Sequence, residues 1–384
     1  YVQKIVNEVL EHETPAVFQK MGIDVVFGEA EFVAPCCVKI NDEEYEFKLA
    51  VIATGSSPRH ISVDGVESKD ILTNQNLFAL ERMPERLLVV GGGPIGMEMG
   101  QAFAMFGCSV TIIDINKRFA RLEDPSISKI AKQEFEKLGV KIHLNAQIDH
   151  VENKLAFVKI ADGESVQVAY DKILFAVGRV PNLPLGLELA GIEANERTIL
   201  VDSQYRTSNK YVYALGDVAQ RLKFTHTADD TAIQVVARVA SRGLLRVKNK
   251  KAVPKVTYTQ PEIAQVGLSY EAALQKYSEG EIIKIEAPFS KNDRAITESK
   301  TDGLAVVVAR RLNGAVLGAN IIGPNAGELI TPFTLAIDKK ISLWSFYRTI
   351  FPYPTYSLII KKAADLFVAK QLATLKQDIW SLTK

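Results

Sequence analysis

Residues 87–100 read LLVVGGGPIGMEMG, in which four apolar residues lead directly into a glycine-rich turn. The run Leu87–Val90 predicts a buried strand, and the apolar residues from Pro94 to Phe106 recur at helical spacing. A turn of the form G-x-G-x-x-G between a strand and a helix is typical of a dinucleotide-binding βαβ unit. The stretch therefore predicts a nucleotide site on an α/β fold.

Each glycine of this turn has a physical role in the predicted site. Gly91 permits the tight turn, Gly93 lets a pyrophosphate approach the backbone, and Gly96 lets the helix pack closely on the strand. The phosphates are expected at the helix N-terminus, where free N–H groups favour anions. The cofactor-binding residues predicted in this turn are Gly91, Gly92, Gly93, Pro94, Ile95 and Gly96.

Asp114 ends the next predicted strand and is expected to bind the adenosine ribose hydroxyls. A carboxylate at this position favours NAD, because it repels the 2′-phosphate of NADP. Three cations follow closely, Lys117, Arg118 and Arg121, and they could receive such a phosphate. The sequence favours NAD and leaves NADP open.

The composition excludes several classes of function. The chain has 384 residues, 47% hydrophobic and 24% charged, with a net charge of +1, so no electrostatic footprint for nucleic acid is present. Leu87–Gly107 is apolar, but its glycines, Pro94 and Glu98 argue against a membrane span. Three cysteines fit a reducing compartment, and the cytoplasm is expected. No metal site is predicted.

Strand and helix patterns alternate along the chain, which indicates an α/β architecture. Residues 147–168 predict an antiparallel insertion, and the basic segment Val247–Lys255 is the candidate linker. Cys36 and Cys37 are interpreted as strand residues, and Cys108 as a buried residue in a turn. The predicted strands are Ile23–Phe27, Val38–Ile40, Leu49–Ala53, Leu87–Val90, Ser109–Asp114, Val140–Leu144, Lys172–Val177, Tyr211–Ala214, Val256–Thr259, Ile282–Pro288, Leu304–Arg310 and Val316–Gly323, and the main helices are Pro94–Phe106, Ser126–Leu138 and Ala228–Leu245.

Three further motifs accompany the glycine-rich turn. IATGSSP (52–58) precedes it, GRVPN (178–182) and YALGDV (213–218) follow it, and VTYTQPEIAQVG (256–267) opens the C-terminal part. In this order the motifs resemble those of the FAD-dependent pyridine nucleotide–disulfide oxidoreductases, which include dihydrolipoamide dehydrogenase and mercuric reductase. The resemblance runs along essentially the whole chain.

The resemblance implies a fold and a domain order. It implies a Rossmann-like NAD(P)-binding domain at 81–182, inserted in a partial FAD-binding domain formed by 1–80 and 183–250. An α+β domain at 253–384 is expected to form a homodimer. The implied activity is transfer of hydride from NAD(P)H to FAD, and then of electrons to a disulfide, a metal ion or another small-molecule acceptor.

The resemblance also implies site residues. Asp217 matches the aspartate that binds the FAD ribityl chain, and Glu98 matches a glutamate near the nicotinamide–flavin contact. The remaining matches line the cofactor sites: Ile148 and Gly178 for NAD, and Ala30, Thr54, Gly55, Ser56, Lys223, Phe224, Thr225 and His226 for FAD.

Near the C-terminus, FPYPTYSLI (351–359) occupies the place of the family's His-Pro-Thr-x-x-Glu motif. Tyr353 stands at the position of the acid/base histidine, which in the family reaches the partner's dithiol, and Leu358 stands at that of the glutamate. A phenol with a pKa of about 10 is a poor proton shuttle near pH 7. Ordinary dithiol exchange is therefore disfavoured, and Tyr353 either acts on another acceptor or fills the dimer interface.

Two features of the family are not found in this sequence: a first G-x-G-x-x-G for FAD, and a C-x4-C dithiol. The sequence is therefore expected to start downstream of them, and this chain alone could bind FAD weakly and be inactive. Two alternatives stay open: a dithiol-free or transhydrogenase-like acceptor reductase, and a catalytically silent nucleotide-binding dimer.

Overall fold

The computed structural model describes residues 1–161, 163–247 and 252–382, with side chains up to residue 373. The chain divides into two compact units. Unit 1 comprises Tyr1–Arg59, Asn74–Glu81 and Gly178–Asn249, and unit 2 comprises His60–Thr73, Arg82–Val177 and Lys250–Lys384. None of the described helices is long and apolar enough to cross a membrane.

The elements are numbered in chain order. The helices are α1 Val2–Leu10, α2 Pro15–Lys20, α3 Pro94–Met105, α4 Pro125–Lys137, α5 Thr225–Ala240, α6 Tyr270–Leu274, α7 Asp293–Thr297, α8 Ala326–Leu329, α9 Thr331–Lys339, α10 Leu343–Arg348 and α11 Leu358–Leu382. The strands are β1 Ala30–Ala34, β2 Cys37–Ile40, β3 Glu43–Glu46, β4 Ala50–Ile52, β5 Ser56–Pro58, β6 Ile71–Leu72, β7 Arg86–Val90, β8 Ser109–Asp114, β9 Lys141–Leu144, β10 Ala146–Glu152, β11 Leu155–Ile160, β12 Ser165–Ala169, β13 Lys172–Phe175, β14 Arg179–Pro181, β15 Ala194–Asn195, β16 Thr198–Ile199, β17 Val212–Ala214, β18 Lys255–Thr257, β19 Glu262–Gly267, β20 Ile282–Pro288, β21 Leu304–Arg310 and β22 Val316–Gly323.

Unit 2 contains a five-stranded parallel sheet in the order β6-β13-β7-β8-β9. Its central strands are buried at Leu88, Val89, Ile112 and Ile113, as expected for strands that are covered on both faces. Strands β10, β11 and β12 form the predicted antiparallel insertion. The glycine-rich turn at residues 91–96 thus lies at the carboxyl end of a central parallel strand.

The C-terminal part of unit 2 is an antiparallel sheet in the order β18-β19-β22-β21-β20. Phe289, Phe333 and Phe367 are fully buried in the core that this sheet forms with the helices that follow it. The observed bounds of β20, β21 and β22 equal the predicted ones, because each strand is a long apolar run that ends at turn residues.

Unit 1 is built from short strand pairs and helix α5. Strand β17 pairs in parallel with β4, and β14 pairs in antiparallel fashion with β5. Strands β1, β2 and β3 form a small antiparallel sheet, and β15 pairs with β16. Phe32, Ile52, Val212 and Ala214 belong to one buried cluster, so segments far apart in the sequence share a core.

Three sequence predictions were wrong in detail. Ile23–Phe27 forms no strand, and the Phe27 side chain is 76% exposed. Cys36 lies in the turn between β1 and β2, whereas Cys37 lies in a strand as predicted. Helix α5 begins at Thr225 and ends at Ala240, not at Ala228 and Leu245. In the predicted linker, residues 248–251 lie outside the described residues.

Candidate functional site

The glycine-rich turn of unit 2 joins β7 to α3. Gly91 has φ +106°, and a Cβ there would lie 2.5 Å from the carbonyl oxygen of Ala176. A Cβ at Gly96 would lie 1.9 Å from the carbonyl oxygen of Gly91. Both positions therefore require glycine for the turn itself, before any ligand is considered.

Gly93 differs from these two glycines, because a Cβ there would meet no atom within 4 Å. Gly93 precedes α3, whose first two residues are Pro94 and Ile95, and its carbonyl accepts the amide of Met97 at 2.8 Å. The backbone at Gly93 is thus unobstructed, and it directly precedes the first turn of α3, whose N–H groups are free. This open cradle fits the pyrophosphate of a dinucleotide.

Asp114, the last residue of β8, is 8% exposed and lies beside the turn. Its Oδ2 accepts the amide of Gly92 at 2.7 Å, and its Oδ1 accepts the amide and the side-chain amide of Asn116 at 2.8 and 2.6 Å. The Asp114 carboxylate is therefore held in one orientation at the turn. There its negative charge would attract the hydroxyl groups of a ribose.

The basic residues after Asp114 are not equivalent. Arg118 donates from Nη2 to the carbonyls of Arg121 and Glu123, at 3.0 and 3.2 Å, and its Nη1 lies 3.6 Å from Glu271. The Arg118 guanidinium thus stabilises the loop before α4 by bonding two of its carbonyls. Arg118 is therefore engaged with the loop backbone, whereas Lys117 and Arg121 are the solvent-exposed cations of this segment.

Glu98 lies on α3 and accepts the backbone amide of Tyr258 at 2.9 Å. Burial raises the pKa of Glu98, and the hydrogen bond from Tyr258 partly opposes that effect. Ile148, on β10, packs against a buried cluster that contains Leu88 and Ile113. Both predicted residues therefore belong to unit 2, together with the glycine-rich turn.

In unit 1, Asp217 lies in a single 3₁₀ turn after β17. Its Oδ2 accepts the hydroxyl of Ser56 at 2.5 Å and lies 3.6 Å from Nε of Arg179. Arg179 also donates from Nε to Oγ of Ser56 at 2.7 Å. Within the described chain, Oδ1 of Asp217 has no partner, and it could accept a hydroxyl such as one of the ribityl chain of FAD.

The segment after Asp217 leads into α5. Lys223 donates to the carbonyl of Asp217 at 2.8 Å, and burial lowers its pKa. Phe224 precedes α5 and stacks on His226, with ring centroids 5.2 Å apart. Thr225 and His226 form the exposed first turn, so the predicted residues 223–226 do cluster at a helix N-terminus. Such an end favours a negatively charged ring system.

Thr54 and Gly55, which precede Ser56, and Gly178, which precedes Arg179, lie on the neighbouring backbone of unit 1. Thr54 donates to the carbonyl of Asn182 at 2.5 Å, and the carbonyl of Gly55 accepts the amide of Asn182 at 3.0 Å. Gly178, with φ +107°, accepts the amide of Arg59. Ala30 is exposed at the start of β1, where it pairs with Ile40.

Tyr353 lies in the loop before α11, within unit 2, and its side chain is 72% exposed. The Asp293 carboxylate, through a hydrogen bond and its charge, raises the pKa of Tyr353. Leu358 is the first residue of α11 and is half-buried. Tyr353 is thus accessible, as a group that contacts an acceptor must be. Asp293 is a residue that the sequence analysis did not indicate.

Sequence reasoning missed four residues with direct roles in these clusters: Arg179, Asn182, Tyr258 and Asp293. Arg179 and Asn182 belong to the GRVPN motif, and Tyr258 to VTYTQP, so the motifs already contained the signal. Cys108 is buried as predicted, and burial raises its pKa to about 11, which keeps the thiol protonated. No group of three or more His, Cys, Asp or Glu in the described part could hold a metal ion.

The chain matches two family models and several known proteins. The family model described as "Pyridine nucleotide-disulphide oxidoreductase" matches residues 3–232, and that described as its dimerisation domain matches residues 253–364. Mercuric reductase of Lysinibacillus sphaericus is 32% identical over 99% of this chain and 68% of its own length. Dihydrolipoyl dehydrogenase of Bacillus subtilis (strain 168) is 34% identical over 92% of this chain and 76% of its own length.

A solved structure gives the same result at the level of the fold. The HOCl-induced flavoprotein disulfide reductase RclA from Escherichia coli superposes with a TM-score of 0.85, at 26% identity, over 96% of this chain and 85% of that one. The predicted α/β fold, with an FAD/NAD-binding part followed by a dimerisation domain, is thereby confirmed. The individual domain bounds and site residues stay predictions.

Proposed function

The chain belongs to the pyridine nucleotide–disulphide oxidoreductase family, whose members use FAD and NAD(P)H, and on this premise we propose that its electron donor is NADH. The observation that carries the proposal is the fixed, negatively charged side chain of Asp114. Its carboxylate is fixed by Gly92 and Asn116, so a 2′-phosphate would meet a rigid negative charge. Arg118, which could have offset that charge, is engaged with backbone carbonyls.

Each residue of the donor site has a specific task in this proposal. Gly93 leaves room for the pyrophosphate, the first turn of α3 donates N–H groups to it, and Asp114 accepts the ribose hydroxyls. Glu98, held by the amide of Tyr258, lines the nicotinamide end. These groups bind and orient the donor, and none of them needs to transfer a proton.

The residues of unit 1 would hold FAD, which when bound supplies the hydride acceptor and the electron relay. Asp217 would accept a ribityl hydroxyl, with Ser56 and Arg179 fixing its orientation. Lys223 and the N-terminus of α5 would provide positive potential for the flavin pyrimidine. Thr54, Gly55 and Ala30 would line the adenosine half.

We also propose a small-molecule electron acceptor that meets Tyr353, a homodimer formed through the C-terminal domain, and a cytoplasmic location. The family's dimerisation domain supports the homodimer, and three free cysteines fit a reducing compartment. Disulfide, metal ion and other small acceptors remain candidates. The related proteins are named for the first two.

The test is rapid-mixing absorbance of the FAD-loaded protein, with bound FAD first confirmed from its absorbance, against NADH and, separately, against NADPH. We expect bleaching of the flavin band with both donors and a lower half-saturating concentration for NADH. Equal or better use of NADPH would contradict the assignment of Asp114. Binding of NADH without any bleaching would instead favour the catalytically silent nucleotide-binding dimer.

A further inference from the structure

Asp114 has little hydrogen-bonding capacity left for a ligand. A carboxylate offers about four lone-pair positions to donors. Oδ1 of Asp114 accepts two hydrogen bonds, from the backbone amide and the side-chain amide of Asn116 at 2.8 and 2.6 Å, and Oδ2 accepts one, from the amide of Gly92 at 2.7 Å. In the described part of the chain, one position on Oδ2 is therefore open. A ribose has two neighbouring hydroxyl groups, so Asp114 alone cannot accept both.

The carboxylate cannot turn to free a second position. Asp114 is 8% exposed, and a partial rotation about its Cβ–Cγ bond would break all three hydrogen bonds. A Cβ at Gly92 would lie 2.9 Å from Oδ2 and 3.3 Å from the ring of Phe119, which is 1% exposed, so the space around Oδ2 is limited as well. The second hydroxyl of a bound ribose therefore needs a partner other than Asp114.

Asn116 is placed to be that partner. It is half-buried, and its backbone is fixed at both ends: the amide donates to Asp114, and the carbonyl accepts the amide of Asn145, the residue before β10, at 3.0 Å. Its side chain donates one Nδ2 hydrogen to Asp114, which determines the orientation of the amide group, because an ionised carboxylate only accepts. Among the described residues, Oδ1 of Asn116 has no donor. A free acceptor thus lies next to the carboxylate.

We propose that Asn116 contacts the electron donor and is a specificity-determining residue: its Oδ1 accepts the adenosine ribose hydroxyl that Asp114 cannot take. This inference deepens the proposed NADH site and rests on it. The ribose diol is then divided between two side chains, with one hydroxyl on Oδ2 of Asp114 and the other on Oδ1 of Asn116. The same amide group also keeps Asp114 in its orientation.

This arrangement adds to the preference for NADH over NADPH. A 2′-phosphate, with a second pKa of about 6, is mostly a dianion at pH 7 and has no hydrogen to donate. An asparagine that is free to rotate could turn its Nδ2 towards such a group. Asn116 would lose its 2.6 Å hydrogen bond to Asp114 by turning, so it continues to present an acceptor oxygen. NADPH therefore meets two unfavourable groups, and NADH meets two favourable ones.

Binding of oxidised dinucleotides tests this division without turnover, because NAD⁺ has the same adenosine half as NADH and does not reduce the flavin. The FAD-loaded protein is titrated calorimetrically with NAD⁺ and with its analogues that lack the 2′- or the 3′-hydroxyl of the adenosine ribose. Loss of one hydrogen bond corresponds to about two- to tenfold in affinity, so Asn116→Ala should weaken NAD⁺ by about that factor. It should weaken one deoxy analogue equally and leave the other unchanged, because the latter lacks the hydroxyl that Asn116 accepts. Equal weakening of all three ligands, or any other pattern, would overturn the proposal.

Two further titrations separate contact with the ribose from support of the fold. Asp114→Asn should act more strongly on the deoxy analogue that Asn116→Ala leaves unchanged, since that analogue depends on Asp114 alone. For NADP⁺, Asn116→Ala should cause no loss of affinity, whereas loss of a merely structural residue would weaken NAD⁺ and NADP⁺ alike. Parallel losses for both dinucleotides would therefore overturn the proposal and leave Asn116 a purely structural role.

A matched asparagine elsewhere in unit 2 serves as the control. Asn313, in the exposed turn between β21 and β22, accepts the amide of Ala315 at 3.0 Å through its Oδ1. Asn313→Ala should leave all dinucleotide affinities unchanged, and the urea unfolding midpoint of each variant verifies that it is folded. Wild-type protein that binds NADP⁺ more tightly than NAD⁺ would contradict the proposed donor itself. A preference for NAD⁺ without the expected pattern of the deoxy analogues would contradict the role of Asn116 alone.

Discussion

Gln101 and Gln260 are joined by two hydrogen bonds between the side-chain amide of the first and the backbone of the second. Nε2 of Gln101 donates to the carbonyl of Gln260 at 2.7 Å, and the amide of Gln260 donates to Oε1 of Gln101 at 2.6 Å. Together with the Glu98–Tyr258 hydrogen bond, these contacts join side chains on one face of α3 to the backbone of residues 258–260. Helix α3 is thereby fixed to the C-terminal part of unit 2 by polar contacts.

Replacing Gln101 should therefore be costly. Gln101→Leu keeps the volume but leaves the backbone N–H and C=O of Gln260 without partners, in a place where Gln101 is 3% exposed. We expect a loss of about 2 to 4 kcal/mol in the free energy of unfolding, measured by urea denaturation. Gln275→Leu, at an exposed position, is the control. A loss no larger than that of the control would show that the pairing is weak.

Two glycines of the turn should respond differently to alanine. Gly96→Ala places a Cβ 1.9 Å from the Gly91 carbonyl and should destabilise or unfold the chain. Gly93→Ala meets no atom within 4 Å, so its unfolding midpoint should stay close to wild type. Its affinity for NADH should nevertheless fall at least tenfold, because the methyl group occupies the pyrophosphate space. Calorimetric titration checks this, and unaltered affinity in a folded Gly93→Ala variant would place the phosphates elsewhere.

The choice between NADH and NADPH is expected to depend on Asp114 and Arg121. Asp114→Asn removes the charge and should weaken NADH by about tenfold, since a hydrogen bond to a charged group contributes about 1.5 kcal/mol or more. The same variant should improve the affinity for NADPH relative to NADH. Arg121→Gln, at an exposed cation, should weaken NADPH and leave NADH unaltered. Dissociation constants for NADH and NADPH, measured by quenching of protein fluorescence, give the ratio of the two affinities in the wild type and in each variant. An unchanged ratio in Asp114→Asn would contradict the assignment.

Lys284 and Asp124 form an ion pair that links α4 to β20, in which the Asp124 carboxylate is buried, whereas Lys284 is half-buried and also pairs with Glu286. Nζ of Lys284 lies 3.0 Å from Oδ1 of Asp124, whose amide donates to Oδ1 of the buried Asn320 at 2.7 Å. Lys284→Met leaves the carboxylate without its cation and should cost about 3 kcal/mol of stability. The double variant Lys284→Met, Asp124→Asn should recover part of that loss. Lys137→Met, which breaks exposed pairs only, should cost under about 1 kcal/mol in the same urea experiment.

Glu98 should make the stability of the chain fall as pH rises. Burial raises its pKa in the folded state above the value in the unfolded state, so the folded chain holds the proton more tightly. Stability is then lost as pH rises from the unfolded pKa through the folded one. Glu98→Gln keeps an acceptor for the Tyr258 amide and does not ionise. The stability of this variant relative to wild type should increase between pH 4 and pH 8, and a constant or opposite difference would refute the burial argument.

The predictable parts of the fold are those whose signal is local. The glycine-rich turn is a short motif, and the strands of the C-terminal sheet and of the antiparallel insertion are apolar or alternating runs within a short window. Each of these features was therefore predicted from the sequence. Ile23–Phe27 has an apolar pattern but no strand partner in the described chain, and strand preference counts only when a partner is present.

The candidate site was predictable to the extent that motifs carry it. Asp114 was predicted from its spacing after the glycine-rich turn, and Asp217 from the resemblance of YALGDV to the family's motif. Asp293 was not predicted, because α7 and the loop that carries Tyr353 are distant in the sequence and meet only in the fold, where Asn292 donates to carbonyls of that loop. Likewise, the inward orientation of Arg118 depends on carbonyls that no pattern of residue types reveals.

The pairing of β4 with β17 has a consequence for synthesis on the ribosome. Ala50 and Val212 are partners in a parallel register, so β4 leaves the exit tunnel long before β17 is translated. Strands β7, β8 and β9 are consecutive in the chain and can pair during that interval. A nascent chain stalled before Tyr213 would therefore expose β4 while its nucleotide-binding sheet is already formed, and this is the interval in which chaperone protection matters most.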